Sequence, residues 1–286
     1  MAGLKFGIQT PAVRPWSEMV ERWRRFEALG FDSLWLSDHL VPPFNPSGPL
    51  LEAWTLLAAL ATQTERARIG VLVSCNTFRH PPLLAKQAVT VDHLSDGRLE
   101  LGLGAGWFVP EHEMFGVPFP EPPELVARFR EAVELVDLML RQDVTTYDGR
   151  YYQLRDAPCR PAPLQRPRPP LTLGAHGPTM LGLVAAHADR WNSLGTVAEI
   201  AARTRRLDAT CAAIGRDPRA IVRSLLYVAP QMPTEHPWSS PDAFADFVGR
   251  YRAVGIEEFL FQPPPDDGFA VLERVAAEVL PSLRGG

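Results

Sequence analysis

Arg98-Leu99-Glu100-Leu101-Gly102-Leu103-Gly104-Ala105-Gly106-Trp107 is an alternating apolar strand that runs into three glycines and an aromatic residue. Glycine lets a backbone approach a flat or phosphorylated ligand with no Cβ in the way. A helix-opening stretch follows at once. The pattern therefore predicts a ligand site at the carboxyl end of a strand, where α/β proteins place their chemistry.

The flanking sequence repeats the same strand-then-helix rhythm. Leu4 to Gln9 alternates like a strand, and Met19, Trp23 and Phe26 follow at helical spacing before Gly30. Ser33 to Ser37 is a second strand, with an apolar helix around Trp54 to Leu60 behind a Pro-rich loop. Ile69 to Val73 is a third, its helix spans Leu84 to Leu94, and Asp96-Gly97 turns into the glycine-ended fourth strand. Leu125, Phe129, Val133, Val136 and Leu140 mark one face of a helix from about Pro122 to Arg141, a core-packing stripe. Thr145 to Tyr152 then reads as a short hairpin with an Asp-Gly turn, and Pro158 to Pro170 holds six prolines. Four more strands follow, at Leu171 to Gly174, Trp191 to Leu194, Val222 to Val228 and Glu258 to Gln262. Two separate domains would each need their own sheet edge and core, so eight strands with eight crossings predict a single (β/α)8 TIM barrel over residues 1–286. An irregular insertion at about 142–170 interrupts it between barrel strands 4 and 5.

Composition narrows the partners. The chain has 286 residues, 46% of them apolar, and a net charge of −4 with mixed signs, which offers no basic stripe for nucleic acid. No apolar run approaches the roughly 18 residues that span a bilayer, and the start of the chain lacks a signal-peptide layout. A soluble cytoplasmic protein with a small-molecule substrate is expected. Cys75, Cys159 and Cys211 are too scattered for a disulfide framework or a metal site, so reduced thiols are expected. Of the basic residues only Lys5 and Lys86 are lysine.

On a barrel, the strand ends would gather Gln9, Asp38-His39, Ser74 to Arg79, Gly104 to Trp107, Gly174 to Thr179, Asn192-Ser193 and Gln262. His39 follows Asp38 at the end of an apolar strand. An imidazole titrates near neutral pH and can give or take a proton there; a loop histidine that only hydrogen-bonds the Pro-rich segment would look the same. Gly174-Ala175-His176-Gly177-Pro178-Thr179 leads from strand to helix with free amides, which suits an anion and equally suits a plain tight turn. The glycine strand lacks GxGxxG spacing and has no acidic strand end some 20 residues on, which excludes a Rossmann site. His112-Glu113 does not extend to HExxH, because Gly116 stands where the second histidine would be, and no metal is expected. Trp107 and Phe108 with Trp191 suggest an apolar substrate side, or else packing of the barrel mouth.

Gly30 to His39, Thr77-Phe78-Arg79-His80-Pro81 and Leu101 to Trp107 together resemble the bacterial luciferase-like superfamily, and most of all its coenzyme F420-dependent oxidoreductase branch. Arg168 to Gly174 and Ala188 to Asn192 extend the match. The resemblance implies hydride transfer between the deazaflavin and a small organic substrate. It assigns Asp38 to the deazaflavin and makes His39 the proton donor. It places a non-prolyl cis peptide at Leu72-Val73 behind the ring, adds Cys75, Ala105 and Gly106 as coenzyme contacts, and makes Gly174, Ala175, His176 and Gly177 the phosphate loop. Gln9, Trp107 and Trp191 fall to the substrate side. Two departures count against the sugar-phosphate dehydrogenases of this branch: Trp107 stands where they carry a glutamate, and their lysine pair has no counterpart. An FMN-dependent monooxygenase and a non-catalytic flavin- or deazaflavin-binding protein are the alternatives, and a homodimer is compatible with each.

Overall fold

A computed structural model of the chain describes residues 3–285. Its strands are β1 (Lys5–Thr10), β2 (Ser33–Leu36), β3 (Arg68–Cys75), β4 (Leu99–Gly104), β5 (Val144–Asp148), β6 (Gln153–Pro158), β7 (Leu171–Gly174), β8 (Arg190–Ser193), β9 (Val222–Tyr227) and β10 (Glu258–Phe261). Eight of them close a parallel barrel in the order β1-β2-β3-β4-β7-β8-β9-β10, with β10 returning to β1. The antiparallel pair β5-β6 stands outside it. This is the expected TIM barrel, with its insertion between the fourth and fifth barrel strands.

The helices are α1 (Trp16–Ala28), α2 (Ala53–Leu60), α3 (Pro81–Leu94), α4 (Val109–Phe115), α5 (Pro122–Arg141), α6 (Pro178–His187), α7 (Val197–Ala213), α8 (Pro241–Arg252), α9 (Phe269–Arg274) and α10 (Leu280–Arg284). Most bury one stripe against the barrel. Helix α1 seats Met19, Trp23 and Phe26, and α5 seats the five apolar residues expected of it. A fully buried Met or Phe contributes roughly 1.5–3 kcal/mol. Among the described residues no helix is long and apolar enough to cross a membrane.

The hairpin differs from expectation. Its second strand begins at Gln153, and Gly149 to Tyr152 form a loop instead of a two-residue turn. The Glu131 carboxylate of α5 explains this, because it accepts the backbone N–H groups of Arg150 (2.9 Å), Tyr151 (2.8 Å) and Tyr152 (3.2 Å). Those amides are therefore unavailable to the ladder.

The barrel interior has a charged floor and an apolar middle. At the amino ends of the strands, Arg190 pairs with Glu100 and, at 2.7 Å, with Glu258, while Arg68 also reaches Glu100. Burial opposes the charge on Arg190, and the two carboxylates outweigh it and hold the guanidinium charged. Burial pushes the Glu258 carboxyl up against the pull of Arg190. Above this layer Trp35, Leu72, Leu226, Val228 and Leu260 form an inner apolar cluster separate from the core under the helices. Gly70 makes room for it, since a Cβ there would lie 2.7 Å from the Trp35 ring.

Candidate active site

The carboxyl ends of the strands open into a cleft of about 520 Å³. Gln9 of β1, Asp38 and His39 beyond β2, Leu72, Val73 and Cys75 of β3, Ala105 to Trp107 beyond β4, and Gly174 to Gly177 from β7 onward all line it. Trp191 does not. It is fully buried in the outer core, where its indole N–H donates to the Ala175 carbonyl at 2.8 Å. Strand parity is the reason: the neighbours Arg190 and Asn192 face into the barrel, so the residue between them faces the helices. The substrate-side reading of Trp191 is corrected on this ground.

His39 is held from a residue that the sequence reading passed over. Its Nδ1 lies 2.8 Å from Glu111 Oε1, and the other oxygen of Glu111 accepts the Leu40 amide at 2.8 Å. Glu111 is 1% exposed. Donation of Nδ1–H to the carboxylate leaves Nε2 as the ring atom free for proton exchange. The Trp107 ring stands edge-on to the imidazole with centroids 5.6 Å apart, and Trp107 itself is 54% exposed at the cleft mouth. Helix α4 exposes Val109, Met114 and Phe115 while burying Glu111 and His112, an inversion that only the folded chain shows.

Asp38 is engaged on both oxygens. Oδ2 accepts the Cys75 amide at 2.7 Å, and the Arg79 guanidinium reaches both, with Nη2 to Oδ1 at 3.0 Å. Burial works against the Arg79 charge, and these bonds to Asp38 overcome it. The carboxylate thereby ties the end of β2 to the end of β3. Cys75 continues inward: its Sγ lies 3.0 Å from Thr77 Oγ1, which lies 2.6 Å from His112 Nε2. His112 Nδ1 faces the Phe108 carbonyl at 2.9 Å, and a carbonyl only accepts, so Nδ1 carries a hydrogen. Burial pushes the Cys75 thiol up to about 11, so it is a protonated wall of the cleft and no nucleophile.

The glycines act differently from the expectation. A Cβ on Gly104 would lie 2.5 Å from Val73 Cγ2, one on Gly174 3.1 Å from the same methyl, and one on Gly102 2.1 Å from the Val71 carbonyl and 3.2 Å from Val73 Cγ1. The space they leave is filled by Val73, at the point where the β3-β4 register shifts and the Leu72-Val73 peptide is cis. Gly106 has φ +102° and would press on Cys75 Sγ at 3.0 Å, so its glycine is demanded by the backbone and by the protein's own neighbours. Val73 with Leu72, Ala105 and Leu226 thus presents an aliphatic wall to the cleft.

Beyond β7, α6 begins with Gly177 as N-cap and Pro178 at its first position, and no side chain caps it. The first amides of such a helix point outward with the positive end of its dipole. His176 Nδ1 pairs with Ser193 Oγ at 2.9 Å, and burial, then the nearby Arg203, push its pKa down, so the ring is neutral at pH 7. Any anion at this end meets amides and a neutral imidazole.

Such a mouth, lined by the His39–Glu111 pair, an aliphatic wall and the uncapped start of a helix, places this chain in the class of α/β barrels with a small-ligand cleft above their strand ends. Within that class the luciferase-like monooxygenase family matches residues 4–254, and the chain belongs to that family. It is 31% identical to a protein named F420-dependent glucose-6-phosphate dehydrogenase from Beutenbergia cavernae, over 90% of each chain. Among solved structures it is similar to an F420-dependent secondary alcohol dehydrogenase in complex with an F420-acetone adduct (TM-score 0.84, 19% identity, 96% of this chain and 98% of that one). It is also similar to the coenzyme F420-dependent tetrahydromethanopterin reductase of Methanopyrus kandleri (TM-score 0.82, 19% identity, 99% and 100%). At this identity the two structures share the barrel.

Proposed function

We propose that the protein is an F420-dependent oxidoreductase acting on a small organic substrate in the cytoplasm. The observation that carries this reading is the His39–Glu111 pair lining the same cleft as the Leu72-Val73 wall. The names of its relatives support the choice of coenzyme. The residues fit the group: the aliphatic wall suits one face of a planar ring, and the uncapped start of α6 suits a phosphate.

Leu72, Val73 and Ala105 would back the ring, Cys75 and Gly106 would lie along its edge, and Gly174 to Gly177 with α6 would take the phosphate. When bound, coenzyme F420 supplies a two-electron hydride carrier. The chain supplies the rest. His39 holds or releases a proton at Nε2 while Glu111 keeps the ring oriented through Nδ1. Asp38, fixed by Arg79, holds the Cys75 backbone in the wall that would meet the coenzyme. Trp107 covers the mouth and limits water.

The test is a side-by-side titration with oxidised F420 and FMN, read by fluorescence quenching. F420 is expected to bind at least tenfold tighter, about 1.4 kcal/mol. Equal or reversed affinities, together with oxygen uptake in turnover, would move the assignment to the flavin monooxygenases.

A further inference from the structure

The cleft is neutral in a way that the names of the relatives do not anticipate. Among the described residues that line it none is Lys or Arg, and its carboxylates, Asp38 and Glu111, are already held by Arg79 and by His39 with the Leu40 amide. Arg79 is spent on Asp38 and Glu52. Arg203, which reaches the Leu194 carbonyl and Ser193 Oγ at the α6 side, is shared with Glu199. The one element that favours an anion, the start of α6, is taken by the coenzyme phosphate under the proposed function. A phosphorylated or carboxylated substrate would lose its hydration and meet two paired carboxylates with no cation in return.

Much of the remaining wall is apolar, with Val13, Pro43, Phe44, Leu50 and Trp107 among its residues, and its uncharged polar groups include the Ser37 hydroxyl and the amides of Gln9, Asn45, Asn192, Gln231 and Gln262. Gln9 is 2% exposed and its Oε1 has no partner in the protein. That oxygen only accepts, and Gln9 lines the cleft, so a turn about the soft terminal torsion of the side chain would let a ligand hydroxyl or N–H satisfy it.

We infer that the substrate is an uncharged, largely apolar hydroxyl compound whose O–H is read by Gln9, and not a sugar phosphate. This rests on the assignment of the α6 end to the coenzyme. The measurement is equilibrium binding to the protein with and without F420, followed by intrinsic tryptophan fluorescence and by ligand-observed NMR. The probes are cyclohexanol, cyclohexyl methyl ether, cyclohexyl phosphate and glucose 6-phosphate.

Cyclohexanol is expected to bind at least about tenfold tighter than cyclohexyl phosphate, with glucose 6-phosphate as weak as the phosphate ester. Cyclohexanol should also exceed its methyl ether several-fold, and Gln9→Leu should erase that preference while leaving ether binding unchanged. Equal or tighter binding of either phosphate, or no binding of cyclohexanol, overturns the inference. A preference for the alcohol that survives in Gln9→Leu overturns the role of Gln9. Failure of F420 to quench on titration, scored separately in the absence of any probe, would count against the proposed function and leave the charge argument to be decided by the probe affinities alone.

Discussion

His39 and Glu111 form the smallest unit on which the proposed chemistry depends. A positioned acid or base contributes about 10²–10⁴-fold, so His39→Ala should lower kcat by about that range and leave F420 affinity within about twofold, since the ring wall and the α6 amides are untouched. Glu111→Gln keeps the size of the side chain and removes its charge. It should lower kcat about tenfold or more with little change in KM, because the residue orients the imidazole and lies behind it. Steady-state kinetics in an assay limited by chemistry, alongside coenzyme quenching, distinguish the two variants. Full turnover by His39→Ala would return His39 to a structural loop role.

This scale is also where sequence reading was weakest. Residues at or just beyond the carboxyl end of a strand were legible, because a barrel gathers strand ends by construction, and Gln9, His39, Cys75 and Gly174 all line the cleft. Glu111 was hidden because it arrives from a seven-residue helix too short to show periodicity. Trp191 was misread because its strand is four residues long and its facing is set by Arg190 and Asn192 on either side.

At the scale of the elements, the β3-β4-β7 wall and helix α6 make separate predictions. Gly104→Ala brings a methyl to 2.5 Å from Val73 Cγ2, and overpacking of a tight site costs about 1–3 kcal/mol. The variant should lose about that much stability in urea and bind F420 more weakly, and adding Val73→Ala should recover most of the stability. A second substitution without effect would show that the strain lies elsewhere. The glycines were visible in the sequence, but their purpose was not, since the side chain that needs them belongs to another strand and only the folded barrel brings it there.

Helix α6 carries His176 just before its start and His187 at its end, both with pKa values pushed below the usual 6.5, chiefly by burial. The unfolded chain takes up these protons first. The contribution of the two rings to stability is therefore complete above pH 6.5 and is lost as pH falls through their lower folded values. Tm should decline as pH falls below about 6.5, and the double variant His176→Gln/His187→Gln should decline less. Parallel curves for the two proteins would rule the histidines out as the cause.

Over the whole molecule the barrel separates what holds it together from what it does. The paired charges of Arg190, Glu100 and Glu258 lie at the amino ends of the strands, and the cleft lies at the carboxyl ends. Arg190→Met would leave the buried Glu258 without its cation and Glu100 with Arg68 alone, a loss of about 3–5 kcal/mol. Chemical denaturation should show it, while F420 affinity of the folded fraction should stay near that of the unaltered protein. A large drop in affinity with unchanged stability would contradict this separation. The closed topology was legible from eight apolar runs at βα spacing. The course of the insertion was not, because the Glu131 clasp that shapes its loop joins residues 19 to 21 positions apart through a carboxylate.

Val73 fills what two neighbouring strands leave empty, and this gives it the part of a gauge. The sum of its volume and the volumes at positions 102, 104 and 174 has no room to grow, so none of the three glycines can be enlarged alone. A redesign that widens the cleft for a bulkier ligand must therefore alter these positions as one set. The loops that carry His39 and Trp107 can be exchanged without touching that sum.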